Sequence, residues 1–178
     1  MTPRIAPGQR REVGTFAWAF ARIAGRVAGT NPPNLFLTMA RQRKLFRGWL
    51  RFARRLMPGG SLPRRDTELI ILRVAHLRGC AYEFEHHVRL GRRVGVSTSD
   101  VARIKAGSAD PDWSSRERAL LRAVDELITD RFLDDATWRD LRMQLSEPAC
   151  VEFVLLVGHY DMLATFLLTL RVPSDHAR

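Results

Sequence analysis

Apolar residues recur at three- and four-residue spacing along most of the chain, and glycines and prolines cut this pattern into segments. The breaks fall at Pro32-Pro33, Pro58-Gly59-Gly60, Gly79, Gly95, Gly107 through Pro111, and Pro148. No segment alternates as a strand would, so the pattern predicts an all-α, compact multi-helix domain. Between Thr38 and Leu56 the positions Met39, Leu45, Phe46, Trp49, Leu50, Ala53 and Leu56 form one face, with Arg47, Arg51, Arg54 and Arg55 largely opposite. The next helix starts near Asp66 and is apolar almost all round apart from Arg73, which predicts burial.

Gly79 stops that helix, and Cys80 opens another that runs to about Val94 before Gly95. Ser97 or Ser99 begins a short helix to Ala106, and Ser114 or Ser115 begins one with Ala119, Leu120, Ala123, Val124, Leu127 and Ile128 as its stripe. Asp134 or Asp135 starts a further helix through Leu145, with Trp138 and Leu141 expected to face inward. A long last helix runs from about Pro148 to Leu170. It is the most apolar stretch, but Glu152, His159 and Asp161 within it argue for a buried helix rather than a membrane span.

The chain of 178 residues carries a formal net charge of +10, placed unevenly. From Met1 to Arg65 there are fourteen basic residues and one acid, Glu12; the remainder has fifteen basic and eighteen acidic. The basic half therefore either faces an anionic partner or pairs, in the fold or in an oligomer, with acids such as Asp112, Glu117, Asp125, Asp134 and Asp135, and the second reading is preferred. Residues 1–30 read as a basic, amphipathic segment. Their short apolar run only faintly imitates a secretory signal, because Arg22 and Arg26 follow at helical spacing. Two cysteines, Cys80 and Cys150, are too few for a disulfide framework, so a cytoplasmic location is expected.

Candidate chemistry is concentrated in GCAYEFEHHVRLG, Gly79 to Gly91. On a helix, Cys80, Glu83 and His87 share one face while Glu85 and His86 point elsewhere. A cysteine in the first helical turn meets unpaired N–H groups and the positive end of the helix dipole, which favour the thiolate, and Glu83 has the reach to orient or deprotonate His87. If the helices fold together at Gly79, Glu68 enters the same pocket as a buried carboxylate that needs a partner. Glu68, Cys80, Glu83 and His87 then form a proton-handling cluster, with Tyr82 as a weaker candidate for lining the substrate pocket.

With Glu68 preceding it, this motif resembles the carboxymuconolactone decarboxylase and alkylhydroperoxidase D superfamily. The peroxidase branch carries a glutamate and then Cys-x-x-Cys-x-x-x-His; here Glu68, Cys80 and His87 match, and Glu83 replaces the second cysteine. Glu83 with His87 instead resembles the decarboxylase branch, and the order of segments follows that branch from about Asn31 to Pro173, the extent of the expected domain. The resemblance implies a helical fold that assembles as trimers or hexamers, and a cofactor-independent enzyme acting on a small organic acid or lactone. His87 is then the acid/base, Glu83 its orienting group, Glu68 a proton relay, and an unidentified arginine holds the substrate carboxylate. The alternative is a thiol peroxidase without the usual second cysteine.

Other readings set bounds. Taken singly, a core cysteine is usually packing and a Glu–His pair at four-residue spacing is usually solvated. Glu85 reads as solvated, His86 as a surface or interface residue, and His76 and His159 as core or interface histidines. Cys80, Glu83 and His87 are permissible zinc ligands, but no Cys-x-x-Cys or His-Glu-x-x-His spacing is present, so no metal is expected. From another class, HVRLGRRVGVSTSDVARIKAG imitates a helix-turn-helix, against which stand Asp100 in the would-be recognition helix and the distance in sequence from the basic excess. Neither nucleic acid nor a membrane is expected as a partner.

Overall fold

The computed structural model describes residues 2–175, in which ten helices and no strand occur. They are α1 (Arg10–Val13), α2 (Thr15–Ala28), α3 (Asn34–Met39), α4 (Arg43–Leu56), α5 (Arg64–Leu77), α6 (Ala81–Arg92), α7 (Thr98–Ala106), α8 (Ser115–Thr129), α9 (Asp135–Gln144) and α10 (Glu147–Leu170). Their contacts divide the chain into two compact units, one built from residues up to Met57 together with those from Thr165 onward, the other from Pro58–Ala164.

In the first unit α2 turns its small residues inward: Ala17, Ala21 and Gly25 are buried while Phe16, Ile23 and Val27 are exposed. A side chain at Gly25 would place Cβ 2.7 Å from the Asn31 carbonyl, so close approach of the chain explains the glycine. The segment expected to be one helix from Thr38 to Leu56 is two, α3 and α4, with a turn at Ala40–Gln42. There Arg41 is held by the Ala6 carbonyl at 2.8 Å and by Glu12 at 2.9 Å. Rings of Phe20, Phe36, Phe46 and Trp49 pack at 5.2 to 6.3 Å and fix the inner face of α4. Leu45, a hundred degrees round the helix from Phe46, is left 64% exposed rather than inward.

The second unit is organised around α5, in which every residue from Asp66 to Ala75 is buried. Helices α6, α7 and α8 pack on it, and Leu69, Leu72, Val96, Ile104, Trp113 and Leu121 close the core. Arg73, the one cation in this buried run, donates to Asp125 at 2.6 Å and to the Ile104 carbonyl at 2.6 Å, which satisfies its desolvated guanidinium. Arg65 bridges Asp100 and Glu117 at 2.9 and 2.8 Å, and Arg116 holds Asp66 at 2.8 Å. Glu117 and Asp125 are thus satisfied within this unit. Along α4, Lys44, Arg51, Arg54 and Arg55 make no ion pair among the described residues, so pairing within the chain does not neutralise the basic excess there.

Ser97, Ser114 and Asp134 cap α7, α8 and α9 by accepting from the backbone N–H of the third residue of each helix, as their residue types lead one to expect. Trp138, expected inward, is 42% exposed, while Leu141 is fully buried. Helix α10 is long and apolar enough to cross a membrane by length and composition. Its polar groups are engaged: Glu152 accepts from Ser61 and Leu62, and Asp161 pairs with Arg78 and Arg131. Phe153, Leu156, Val157, Tyr160, Leu163 and Ala164 are buried. The helix serves as a core element of this unit up to Ala164.

Candidate active site

Glu68 lies one turn into α5, and its side chain is fully buried. Arg64, four residues earlier, donates to Oε1 at 3.1 Å. The chain leaves α5 through Gly79 in the left-handed region (φ +62°) and re-enters helix at Ala81, with the Cys80 N–H bonded to the Ala75 carbonyl at 2.9 Å. This tight return lays α6 back on α5 and buries Glu83 and His87, which are 3% and 4% exposed, on the side facing Glu68.

The pairing that results is specific. His87 Nδ1 lies 2.8 Å from Glu68 Oε2, and because a carboxylate only accepts, the ring N–H is placed at Nδ1 and Nε2 is the nitrogen not engaged by Glu68. Glu68, not Glu83, is therefore the residue that orients the imidazole. Tyr160 of α10 sets its ring edge-on to His87, with centroids 5.1 Å apart and planes at 87°. Burial, reinforced by the charges of Glu83 and Glu68, holds the Tyr160 hydroxyl well above its usual range, so it remains protonated.

Glu83 has the most unusual environment. Neither of its buried carboxylate oxygens has a hydrogen-bond partner among the described residues. Burial without a counter-charge pushes its pKa up to about 8, so the group is largely a neutral acid at pH 7.

Cys80 occupies the N-cap of α6 and is 1% exposed. The sequence expectation of an activated thiolate does not survive this geometry. Burial dominates and pushes the thiol up to about 11; the nearby Glu83 carboxylate adds to the rise, and the N–H groups of Glu83 and Tyr82 offset only part of it. Cys150 lies on α10, also buried, with Sγ 4.0 Å from the Leu145 carbonyl. Both cysteines are free.

Tyr82 is half-buried, and the influence on Cys80 comes from its backbone N–H. His86 is half-buried with its ring 5.5 Å from that of His87; burial and then the charges of His87, Arg89 and Arg93 hold it down to about 3. His159 is buried and held down to about 4 by desolvation. Two neighbours of the cluster, Arg64 and Tyr160, were not anticipated. Arg64 was legible as an i,i+4 partner of Glu68, whereas nothing local to α10 signals that Tyr160 meets His87.

Beside the cluster, a cleft of about 670 Å³ opens among α5, α6 and α7. Of Glu68, Cys80, Glu83 and His87, only Cys80 lines it. The helix-turn-helix-like segment does form two helices, but the charged residues of α7 serve the fold. Asp100 is buried between Arg65 and Arg103, and Arg103 also donates to the Asp112 carbonyl at 2.7 Å and stacks on Trp113 at 4.4 Å. Among the described residues no group of three histidine, cysteine, aspartate or glutamate side chains is arranged to hold a metal ion.

Residues 43–126, nearly half of the chain, match the model of the carboxymuconolactone decarboxylase family. Over 103 residues it is 25% identical to the uncharacterized protein YdfG of Bacillus subtilis, spanning 57% of this chain and 70% of that protein. Two solved structures share the fold. One is the alkylhydroperoxidase core of an uncharacterized peroxidase-related protein from Ralstonia eutropha JMP134, with a TM-score of 0.81 at 18% identity, covering 98% of this chain and 94% of that one. The other is a cysteine-to-alanine variant of the debrominase Bmp8 in complex with 2,3,4-tribromopyrrole, with a TM-score of 0.83 at 19% identity, covering 99% and 94%.

Proposed function

We propose that this protein is a decarboxylase-like enzyme that moves protons on a small organic acid or lactone, using Glu68, Cys80, Glu83 and His87. The observation that carries the reading is Glu83: a buried carboxyl with both oxygens unpartnered, neutral at pH 7 and titrating close to it, is suited to give and retake a proton. His87, fixed by Glu68 through Nδ1, offers Nε2 as the second proton-handling atom. In a decarboxylation the electrons of the breaking C–C bond pass into the conjugated system of the substrate, carbon dioxide leaves, and the carbon that gains electron density takes a proton from Glu83. The substrate itself delocalises the charge, so the reading calls for no cofactor.

The thiol-peroxidase alternative is less well supported. It needs a thiolate at Cys80, whose environment favours the thiol, and a resolving cysteine where this chain has Glu83. The small ring molecule held by Bmp8 supports a small-molecule substrate in this fold. A nucleic-acid role is disfavoured because Asp100 and Arg103 of α7 are spent on internal contacts.

Self-association belongs to the same proposal. Trp138 of α9 and Val151, Val154 and Leu155 of α10 expose a contiguous apolar surface, of the kind that a trimer or hexamer would cover.

The experiment is a screen of small carboxylic acids and lactones for carbon dioxide release or ring opening, repeated with Glu83→Gln and His87→Ala. Loss of activity in both supports the reading; full activity in both overturns it.

A further inference from the structure

The cleft beside Cys80 has a composition that the acid/base reading does not explain. Cys80, itself almost fully buried, lines it together with the apolar side chains of Phe84 and Val88 from α6 and Val101 from α7. Three cations, Arg89, Arg92 and Lys105, line it against one carboxylate, Glu85, and no ion pair among the described residues joins Glu85 to any of them. Lys105 places its ammonium over the Phe84 ring, 5.3 Å from the centroid, which holds the charge beside the apolar wall. Among the described residues, Arg89 Nε is buried with no hydrogen-bond partner, and the other end of its guanidinium makes a long, 3.4 Å contact to His86 Nδ1. A buried guanidinium N–H without an acceptor is costly unless a ligand supplies one.

We infer that this cleft binds a small carboxylic acid with an apolar body, the carboxylate held by Arg89 with Arg92 and Lys105 and the body lying between Phe84, Val88 and Val101 towards Cys80. The volume is that of a small-molecule site. An arginine fork matches a carboxylate geometrically, and the apolar walls select against small inorganic anions. Glu68, Glu83 and His87 do not line this cleft, so it is a second small-molecule site beside the one where those groups act, and it stands independently of the proposed function.

Phenylacetate and its neutral isostere phenylacetamide are suitable probes, read by calorimetry and by the rate at which a methanethiosulfonate modifies Cys80 at pH 9 in a Cys150→Ser background. Phenylacetate is expected to bind about tenfold or more tightly than the amide, as one charge-assisted contact implies, and to slow Cys80 modification. Arg89→Gln should remove that preference. Should Arg89→Gln fail to fold, Lys105→Gln and Arg92→Gln, whose side chains are exposed, must weaken phenylacetate and leave the amide unchanged. Equal affinity for acid and amide, no binding of phenylacetate at millimolar concentration, or unprotected Cys80 would overturn the inference. Binding as expected, combined with full activity of Glu83→Gln and His87→Ala, would instead remove the acid/base reading and leave the site standing.

Discussion

His87 Nδ1 and Glu68 Oε2 lie 2.8 Å apart, from two successive helices, with both side chains buried. This hydrogen bond fixes the tautomer of the imidazole and leaves Nε2 available. Nitrogen-15 shifts of His87 at pH 8 should show the Nδ1–H form. Glu68→Gln should mix the tautomers and lower turnover by roughly 10- to 100-fold, the range for residues that orient a working group. An unchanged tautomer in that variant would refute the orienting role.

Glu83 makes a linked prediction about stability. Its folded-state pKa of about 8 lies above the ordinary value of 4.5, so between these pH values the folded protein binds a proton that the unfolded chain releases. The benefit of a neutral Glu83 is fully present below pH 4.5 and lost as pH rises towards 8, where the cost reaches the order of a few kcal/mol. Glu83→Gln should flatten that fall and be the more stable protein at pH 9. Urea unfolding of both proteins across this range is the check, and parallel curves would show that Glu83 ionises normally.

Cys80 should be a slow nucleophile. In a Cys150→Ser background, alkylation should be far slower than that of a free cysteine at pH 8, and its rate should climb with pH up to 10 without a plateau, because the thiol titrates near 11. A plateau at or below pH 8 would restore the thiolate reading.

Arg73 should be a stability residue. Replacing it with alanine leaves the Ile104 carbonyl without this donor and the half-buried Asp125 carboxylate with Ser108 as its remaining partner, at a cost of roughly 1–3 kcal/mol. Chemical denaturation would measure this, and a loss below half a kilocalorie per mole would mean that water replaces the guanidinium.

The apolar surface of α9 and α10 offers a test of assembly. Val151→Asp with Val154→Asp should convert an oligomer to a smaller species in light scattering while the helical circular dichroism is retained. An unchanged mass would place the subunit contacts elsewhere.

Helical class, the breaks at Gly79, Gly95 and Pro148, the buried character of α5 and the capping roles of Ser97, Ser114 and Asp134 were all legible in the sequence. Each depends on neighbours within a few turns, where periodicity and local hydrogen bonding act directly. The spacing of Glu68, Cys80, Glu83 and His87 was legible for the same reason. What those groups do to one another was decided by tertiary structure. Helix dipole and spacing argued for a thiolate at Cys80, but the depth of burial beneath the α5–α6 turn outweighs them. Spacing made Glu83 the partner of His87, yet the return at Gly79 brings Glu68 to the imidazole and leaves Glu83 unpartnered. Trp138 and Leu45 were placed inward by their own helices and stand outward, because which stripe of a helix is covered depends on what packs against it. Desolvation and long-range pairing are properties of the closed fold, and a chain read residue by residue does not contain them.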